Sequence, residues 1–458
     1  MIRNTSTILM CMLLFGCHSG SKKQTADFNP AYAKEQSKKA WEETLPDLLK
    51  QIVPPTFKDT IYLVSDTLNF QQTLNTVIAE ASAKGGGMVR IHPNTYQVAG
   101  PIQMKSNINL QIPEGTLLLF STDPKAYLPL VKVRWEGTFC LNYSPLIYAE
   151  GEENLAITGK GVIDGRAALF FHQWKQLQEP DKQLLRKMGN DQLPLEERVF
   201  GEGHHLRPSG IEFLECKNIL FEDFTIKGSP FWTLHPVLSE NISCRNLTIL
   251  AGTTNDDGID PDSCKNVLIE NNTIHTHDDC VAIKAGRDQD GWAHPGTENI
   301  VVRNNTLKTE VGSGFCIGSE MSGGVENIFA ENNKINSNKH AFNFKSNPDR
   351  GGHMKQLYLR NMQVDSALYG LAFTTDYKGW RGNDHPTKYS DFFMEDIHIN
   401  YTAYTPIGIV GLQREPIRRV YLKNVTVKTT DSVFQQEHVK DLLLEDVKID
   451  GLPVATFD

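Results

Sequence analysis

Two short acidic clusters carry side chains suited to acid–base chemistry: Asn255-Asp256-Asp257-Gly258-Ile259-Asp260 and Asp278-Asp279-Cys280. Carboxylates held close together cannot all ionise alike. Mutual repulsion raises at least one pKa, leaving one group protonated near neutral pH beside others that stay charged. An acid and a base side by side meet the requirement for hydrolysing a glycosidic bond. Asp257 and Asp278 are 21 residues apart, so the chemistry depends on an architecture that returns the chain to the same face after that interval. Without one, such aspartates read as corner caps or calcium ligands.

The chain supplies that architecture as a repeat. A polar residue opens a short apolar strand, an Asn or Asp follows five positions on, and an aliphatic residue stands eight positions on. The frame opens at Asn218, Asn241, Asn266, Asn299, Asn327, Gln356, Asp391, Arg419 and Asp441. Its fifth position is Asp223, Asn246, Asn271, Asn304, Asn332, Asn361, Asp396, Asn424 and Asp446 in turn. Successive openings are 23, 25, 33, 28, 29, 35, 28 and 22 residues apart. Two short strands joined by a residue that tolerates a left-handed backbone make up a coil of this length in a parallel β-helix. Stacked Asn side chains can also hydrogen-bond from coil to coil. The expected fold is therefore all-β, a right-handed parallel β-helix; a leucine-rich horseshoe would need Leu at fixed spacing and helical returns. In the solenoid the two acidic clusters fall on neighbouring parallel strands, roughly 5 Å apart.

The long intervals after Asn266 and Gln356 are loops added to a constant coil, and such loops build binding faces. Upstream, Ala31 to Gln51, closed by Pro54-Pro55, and Asn69 to Lys84 read as helices, giving the solenoid a short helical N-terminal cap. The insertion between Ala167 and Gly189 is the other helical stretch. The expected organisation is a signal over residues 1–17, a tether and helical segment over 18–55, and one β-helix domain over 56–458.

Charge narrows the choice of ligand. With 458 residues and a net charge of −9, the chain is not built to neutralise nucleic-acid phosphates. An anionic substrate would have to be held by local cations. At the N-terminus, Arg3, the apolar run Ile8 to Phe15 and Leu14-Phe15-Gly16-Cys17 resemble a bacterial lipoprotein signal. This predicts an exported lipoprotein, lipidated at Cys17, in the periplasm or on the outer-membrane surface, whose only membrane contact is the lipid. The remaining cysteines, Cys140, Cys216, Cys244, Cys264, Cys280 and Cys316, form no CxxC pair, so buried thiols are expected rather than a zinc site or a disulfide framework.

The chain resembles glycoside hydrolase family 28, the polygalacturonases, particularly bacterial exo-acting members. The family's N-T-D-G-I-D is similar to the segment Asn255 to Asp260, and its G-D-D-C to His277-Asp278-Asp279-Cys280. Its I-G-S-E and following S-G-G-V match Ile317 to Val325, with further likeness at Ser229 to Pro236, Val281 to Lys284 and Asn347 to Gly352. The resemblance runs from about Thr60 almost to the end. It implies that Asp278 protonates the leaving oxygen, that Asp257 and Asp279 activate water from the opposite side, and that the anomeric centre inverts. It implies a pectic glycan as substrate and no metal or organic cofactor, and the protein is expected to act as a monomer.

Two departures stand out. The family's histidine before I-G-S is absent from Val311-Gly312-Ser313-Gly314-Phe315, and its Arg-Ile-Lys reads Asn343-Phe344-Lys345. The substrate-binding candidates are accordingly Lys345 and Arg350, then Lys284 and Arg287, with Asn255 positioning an aspartate or the sugar. His277 either substitutes for the missing histidine or fills space, while Trp232 and His235 are expected to pack the floor. Two other functions use the same fold: a calcium-dependent lyase, marked by an unsaturated product, and a non-catalytic pectin-binding protein. The loops Gly165 to Gly203 and Lys378 to Lys388 are expected to narrow one end of the cleft and favour exo attack.

Overall fold

The computed structural model describes residues 28–250, 252–378, 381–382, 384–429 and 434–455; the expected signal, with Cys17, and the expected tether up to residue 27 lie outside them. The opening and the fifth residue of all nine frames take left-handed φ, between 50° and 71°. A Cβ resists that region, and Asn and Asp resist it least, which accounts for the strictness of the fifth position. The opening positions carry a second device. Amide side chains donate from coil to coil in an unbroken ladder: Asn154 to Asn107 at 2.9 Å, Asn218 to Asn154 at 3.0 Å, and Asn241 to Asn218 and Asn266 to Asn241 at 3.2 Å. It continues from Asn299 to Asn266 at 2.8 Å and from Asn327 to Asn299 at 2.5 Å. Asn107 and Asn154 thus open two further coils that the repeat frame misses, because Ile112 and Gly159 hold their fifth positions.

Every coil adds strands in parallel to the one before, giving the right-handed β-helix. One core line reads Ile219, Ile242, Val267, Ile300, Ile328, Leu357, Phe392, Val420 and Leu442 in register. A line on the third face reads Ile147, Ile211, Leu234, Ile259, Val281, Phe315, Phe342, Leu371 and Ile407. Nearly all of these side chains belong to a single continuous core. The six cysteines fill it or its margin, each buried and unpaired.

At one corner, three buried amides satisfy the turn. Asn272 accepts from the Leu247 N–H (2.9 Å) and donates to the Cys244 carbonyl (3.0 Å) and to Asn305 (3.0 Å). Asn305 repeats the pattern toward Asn333. Asn272→Leu would leave a buried donor and acceptor unpaired. We expect a loss of about 2–3 kcal/mol, measured from the urea midpoint; an unchanged midpoint would show that the ladder carries no stability.

The two N-terminal helical segments have different tasks. Helices α1 (Pro30–Lys39) and α2 (Leu45–Gln51), joined by one π-helical turn, lie along the flank of the solenoid. Their Ala33, Trp41, Leu45 and Leu48 cover Val301, Phe329, Tyr358 and Phe393 on successive coils. Helix α3 (Phe70–Ala83) closes the end, lowering Phe70, Leu74 and Ile78 onto the core beside Val64 and Val89. The insertion folds as α4 (Trp174–Leu177) and α5 (Glu179–Asn190). An antiparallel hairpin, Val131–Trp135 with Thr138–Asn142, lies over the third face. The long interval after Asn266 holds the short helix α6 (Asp288–Trp292). No described helix is long and apolar enough to cross a membrane.

Candidate active site

The third face stacks the two acidic clusters as their spacing predicts. Its register pairs Leu234 with Ile259 and Ile259 with Val281. Peptide hydrogen bonds run from Thr233 N–H to the Asp257 carbonyl (2.8 Å), from Gly258 N–H to that of Asp279 (2.9 Å) and from Cys280 N–H to that of Ser313 (2.9 Å). The coils approach closely here. A Cβ at Gly258 would stand 2.5 Å from the Cys280 carbonyl oxygen, and one at Gly312 would stand 2.2 Å from the Asp278 carbonyl carbon.

Consecutive aspartates then point to different partners. Asp278 accepts from Asn255 Nδ2 (3.2 Å) and from the Asp279 N–H (3.1 Å). Asp279 accepts from the Ser313 N–H (2.6 Å), the Cys316 thiol (3.1 Å) and Lys345 Nζ (2.6 Å). Asp257 meets Lys284 Nζ at 3.3 Å. The fourth aspartate, Asp256, faces away and accepts the N–H groups of Gly252, His277 and Asp278 (2.7, 2.9 and 3.0 Å), fixing the turn that presents Asp278.

These surroundings separate the carboxyls electrostatically. Burial and the neighbouring Asp279 push the Asp278 pKa up, against the pull of Lys345 and Lys284. Burial pushes Asp257 well above the usual range, Lys284 pulls it back, and Asp260, Asp278 and Asp279 add to the rise. For Asp279 burial also raises the pKa, but Lys345, Lys284 and the hydrogen bonds outweigh it, so the group is held below the ordinary value. Consecutive residues thus carry carboxyls whose pKa values are pushed apart, Asp278 upward and Asp279 downward.

Lys284 is the hub of the floor, with Asp257 at 3.3 Å, Asp260 at 3.5 Å and Glu320 at 3.7 Å. Its ammonium lies over the Trp232 ring, 4.1 Å from the centroid. Asp260 is pushed up to about 7, chiefly by burial, despite Lys284 and His235. Beside it His235 lies between Glu212 (3.5 Å) and Asp262 (3.6 Å). Burial alone would lower the His235 pKa, but these carboxylates carry it up to about 9. Arg134, fully buried on the hairpin, ties this layer down at Asp262 (3.1 Å) and Ser263 (2.8 Å). His235 thus packs beneath the floor, whereas Trp232 forms part of its surface.

Above the floor opens a cavity of about 600 Å³ that contains Asn255, Asp257, Asp278, Asp279, Lys284, Arg287 and Lys345 in its lining. Eight Lys or Arg side chains face it against six Asp or Glu, a sign opposite to that of the whole chain. Two sequence candidates do not reach it. Arg350 is buried behind the wall, bound to Asp288 (2.7 Å) and the Ser319 carbonyl (2.8 Å), and so holds the Glu320 loop rather than a ligand. His277 contributes its N–H to Asp256, and its imidazole is not in the lining.

Several lining residues were not singled out from sequence. Glu320 accepts from Arg287 at 2.7 Å; its place in the I-G-S-E match was the available signal. Glu136, at the hairpin tip, takes Arg186 of α5 at 2.7 Å. Lys175, Lys182 and Arg186 come from the insertion, with Lys182 and Arg186 at the i, i+4 spacing that places both on one helix face. Tyr377 and Lys378 enter from the loop before the coil of Asp391, part of which, at residues 379, 380 and 383, lies outside the described residues.

The comparisons with known proteins agree with this geometry. The model of the family described as glycosyl hydrolases family 28 matches residues 131–447. A probable polygalacturonase of Vitis vinifera is 28% identical over 381 residues, covering 78% of this chain and 71% of its own length. The hyperthermoactive exopolygalacturonase of Thermotoga maritima superposes with a TM-score of 0.80 at 32% identity, over 90% of this chain and 96% of that one. The family 28 exopolygalacturonase of Yersinia enterocolitica, 22% identical, shares the fold with a TM-score of 0.65 over 86% of this chain and 80% of its own. With the family model covering residues 131–447, which hold the hairpin and both acidic clusters, the chain belongs to glycosyl hydrolase family 28.

Proposed function

We propose that this protein hydrolyses α-galacturonosyl linkages in pectic polysaccharide or its fragments, acting from the chain end and inverting the anomeric centre. The observation that carries the reading is one cavity in which Asp278, its pKa raised, and Asp279, its pKa lowered, stand together within a cationic wall. Asp278 donates its proton to the leaving oxygen. Asp279 deprotonates the water that attacks from the other side, and Asp257 helps to orient it. Asn255 holds Asp278 in place, and Lys284 and Lys345 keep the base side charged. The polygalacturonase names of the relatives support the substrate. The insertion, whose α4 and α5 stand over the cavity, supports end-on attack, because a walled cavity admits a terminus more readily than a chain passing through.

Incubation with oligogalacturonides and rhamnogalacturonan fragments, followed by anomeric NMR, tests both claims. The expected first product is free galacturonic acid in the β form. Mid-chain fragments would refute the exo claim, an α product would refute inversion, and an unsaturated product that requires calcium would mark elimination instead.

The same proposal places the enzyme on a membrane surface as a monomeric lipoprotein anchored through Cys17. Cys17→Ser should abolish labelling by radioactive palmitate and release the protein from the membrane fraction.

A further inference from the structure

An anionic substrate needs cations that are free to receive it, and most of those at this site are already engaged. Lys284 is shared by three carboxylates, and Lys345 is closed onto Asp279 at 2.6 Å. Arg287 is paired with Glu320 at 2.7 Å, and Arg186 with Glu136 at 2.7 Å. Lys182 is bound by Glu179, its neighbour in α5. Each of these cations neutralises the site's own anions. The position where the family pattern puts an arginine holds Asn343, whose side chain accepts from the Thr374 hydroxyl (3.3 Å).

Lys175 differs. It is carried by α4 and lines the same cavity, half-buried. Among the described residues its ammonium has no carboxylate partner, and its hydrogen bond is to the neutral Asn255 Oδ1, at 2.8 Å. Arg207 Nη2 donates to that oxygen as well, also at 2.8 Å. Two cationic donors on Oδ1 fix the amide orientation, so that Nδ2 must face Asp278, where it lies at 3.2 Å. Lys175 is therefore one side chain away from the acid, on the wall a terminal sugar would touch. Burial and the nearby Arg207 disfavour its charge, a cost that an arriving anion would offset. Lys339 and Lys378 also face the cavity but from exposed positions, where a single charge discriminates weakly.

We propose that Lys175 is the residue that receives the carboxylate of a uronic acid bound in the cavity, so that the insertion, not the coil, sets the preference for acidic over neutral glycan. This rests on the reading of the site as a galacturonide hydrolase, and the test separates the two. The hydrolysis of trigalacturonate is compared with that of the same trisaccharide after reduction of its carboxyls to alcohols. In Lys175→Met the ratio of kcat/KM between the acidic and the neutral substrate should fall about 10- to 100-fold, the worth of one charge-assisted hydrogen bond. Lys175→Arg should restore most of it. An unchanged ratio, or an equal loss on both substrates, would overturn the proposal and leave Lys175 as a support for Asn255 alone. If the native enzyme cleaves neither substrate, the hydrolase reading fails, while the lysine is still tested by calorimetric titration of trigalacturonate. A Kd raised about tenfold or more by Lys175→Met supports it; equal Kd values, or no binding by either protein, count against it.

Discussion

Asp278→Asn is expected to lower kcat by about 10²- to 10⁴-fold, the range that a positioned general acid supplies, with little change in KM or in the denaturation midpoint. An amide occupies the same volume and its single oxygen can keep one of the two contacts, to Asn255 or to the Asp279 N–H, but it has no acidic proton to give the leaving oxygen. The pH profile carries the sign of the argument. Burial and Asp279 raise the Asp278 pKa, so the competent, protonated form persists above the usual carboxylate range. The native rate should fall as pH rises through that elevated value. In Asp278→Asn this alkaline limb should disappear together with most of the rate. Because neighbouring carboxyls titrate together, the limb reports the cluster as a whole. A variant that kept more than a tenth of the native rate on a cleaved substrate would remove Asp278 from the mechanism.

Lys345→Met should damage both stability and activity. The Lys345–Asp279 pair is enclosed, with side-chain exposures of 11% and 3%, and breaking one partner of such a pair costs about 3–5 kcal/mol. Without the ammonium, Asp279 keeps the Ser313 N–H, the Cys316 thiol and the field of Lys284 but loses the largest influence that opposes burial. Its pKa should climb from below the ordinary value of 3.8. The acidic limb of the rate profile should then move toward higher pH. The linkage follows the same sign: a depressed carboxyl contributes stability above its unfolded pKa, and that contribution is lost as pH falls through the folded value. The native protein should therefore weaken in acid more steeply than the variant. Adding Asp279→Asn to Lys345→Met should recover stability but not rate. Equal urea midpoints for native and Lys345→Met protein would show that the pair has no structural weight.

The repeat was legible because a left-handed corner favours Asn or Asp, whose short polar side chains bond the nearby backbone, so the backbone requirement is largely written in residue type. Asn107 and Asn154 were missed for the same reason, since Ile112 and Gly159 satisfy or avoid the corner differently. The aspartates were legible because 21 residues is close to one coil, and register then fixes their neighbours. The cations were legible as residues but not as partners. Nothing in the order of the chain says that Lys345 closes onto Asp279, that Arg350 binds Asp288, or that Lys175 arrives from an insertion outside the repeat. Such pairings depend on how loops of irregular length fold back over a regular floor. His277 shows the converse: its neighbour Asp278 enters the cavity while its own imidazole is not in the lining.

The six unpaired cysteines bear on how the chain survives its surroundings. Thiol–disulfide exchange proceeds through the thiolate, and burial pushes Cys216 and Cys264 up to about 12, with Cys140, Cys244, Cys280 and Cys316 also raised by burial. Near pH 7 the reactive form of such a group is scarcer than in a free thiol by roughly three orders of magnitude, and access is blocked as well. The folded solenoid is therefore indifferent to oxidant, but the chain that precedes it is not. Under the proposed export to an oxidising compartment, the thiols would be protected only once the coils that bury them have closed.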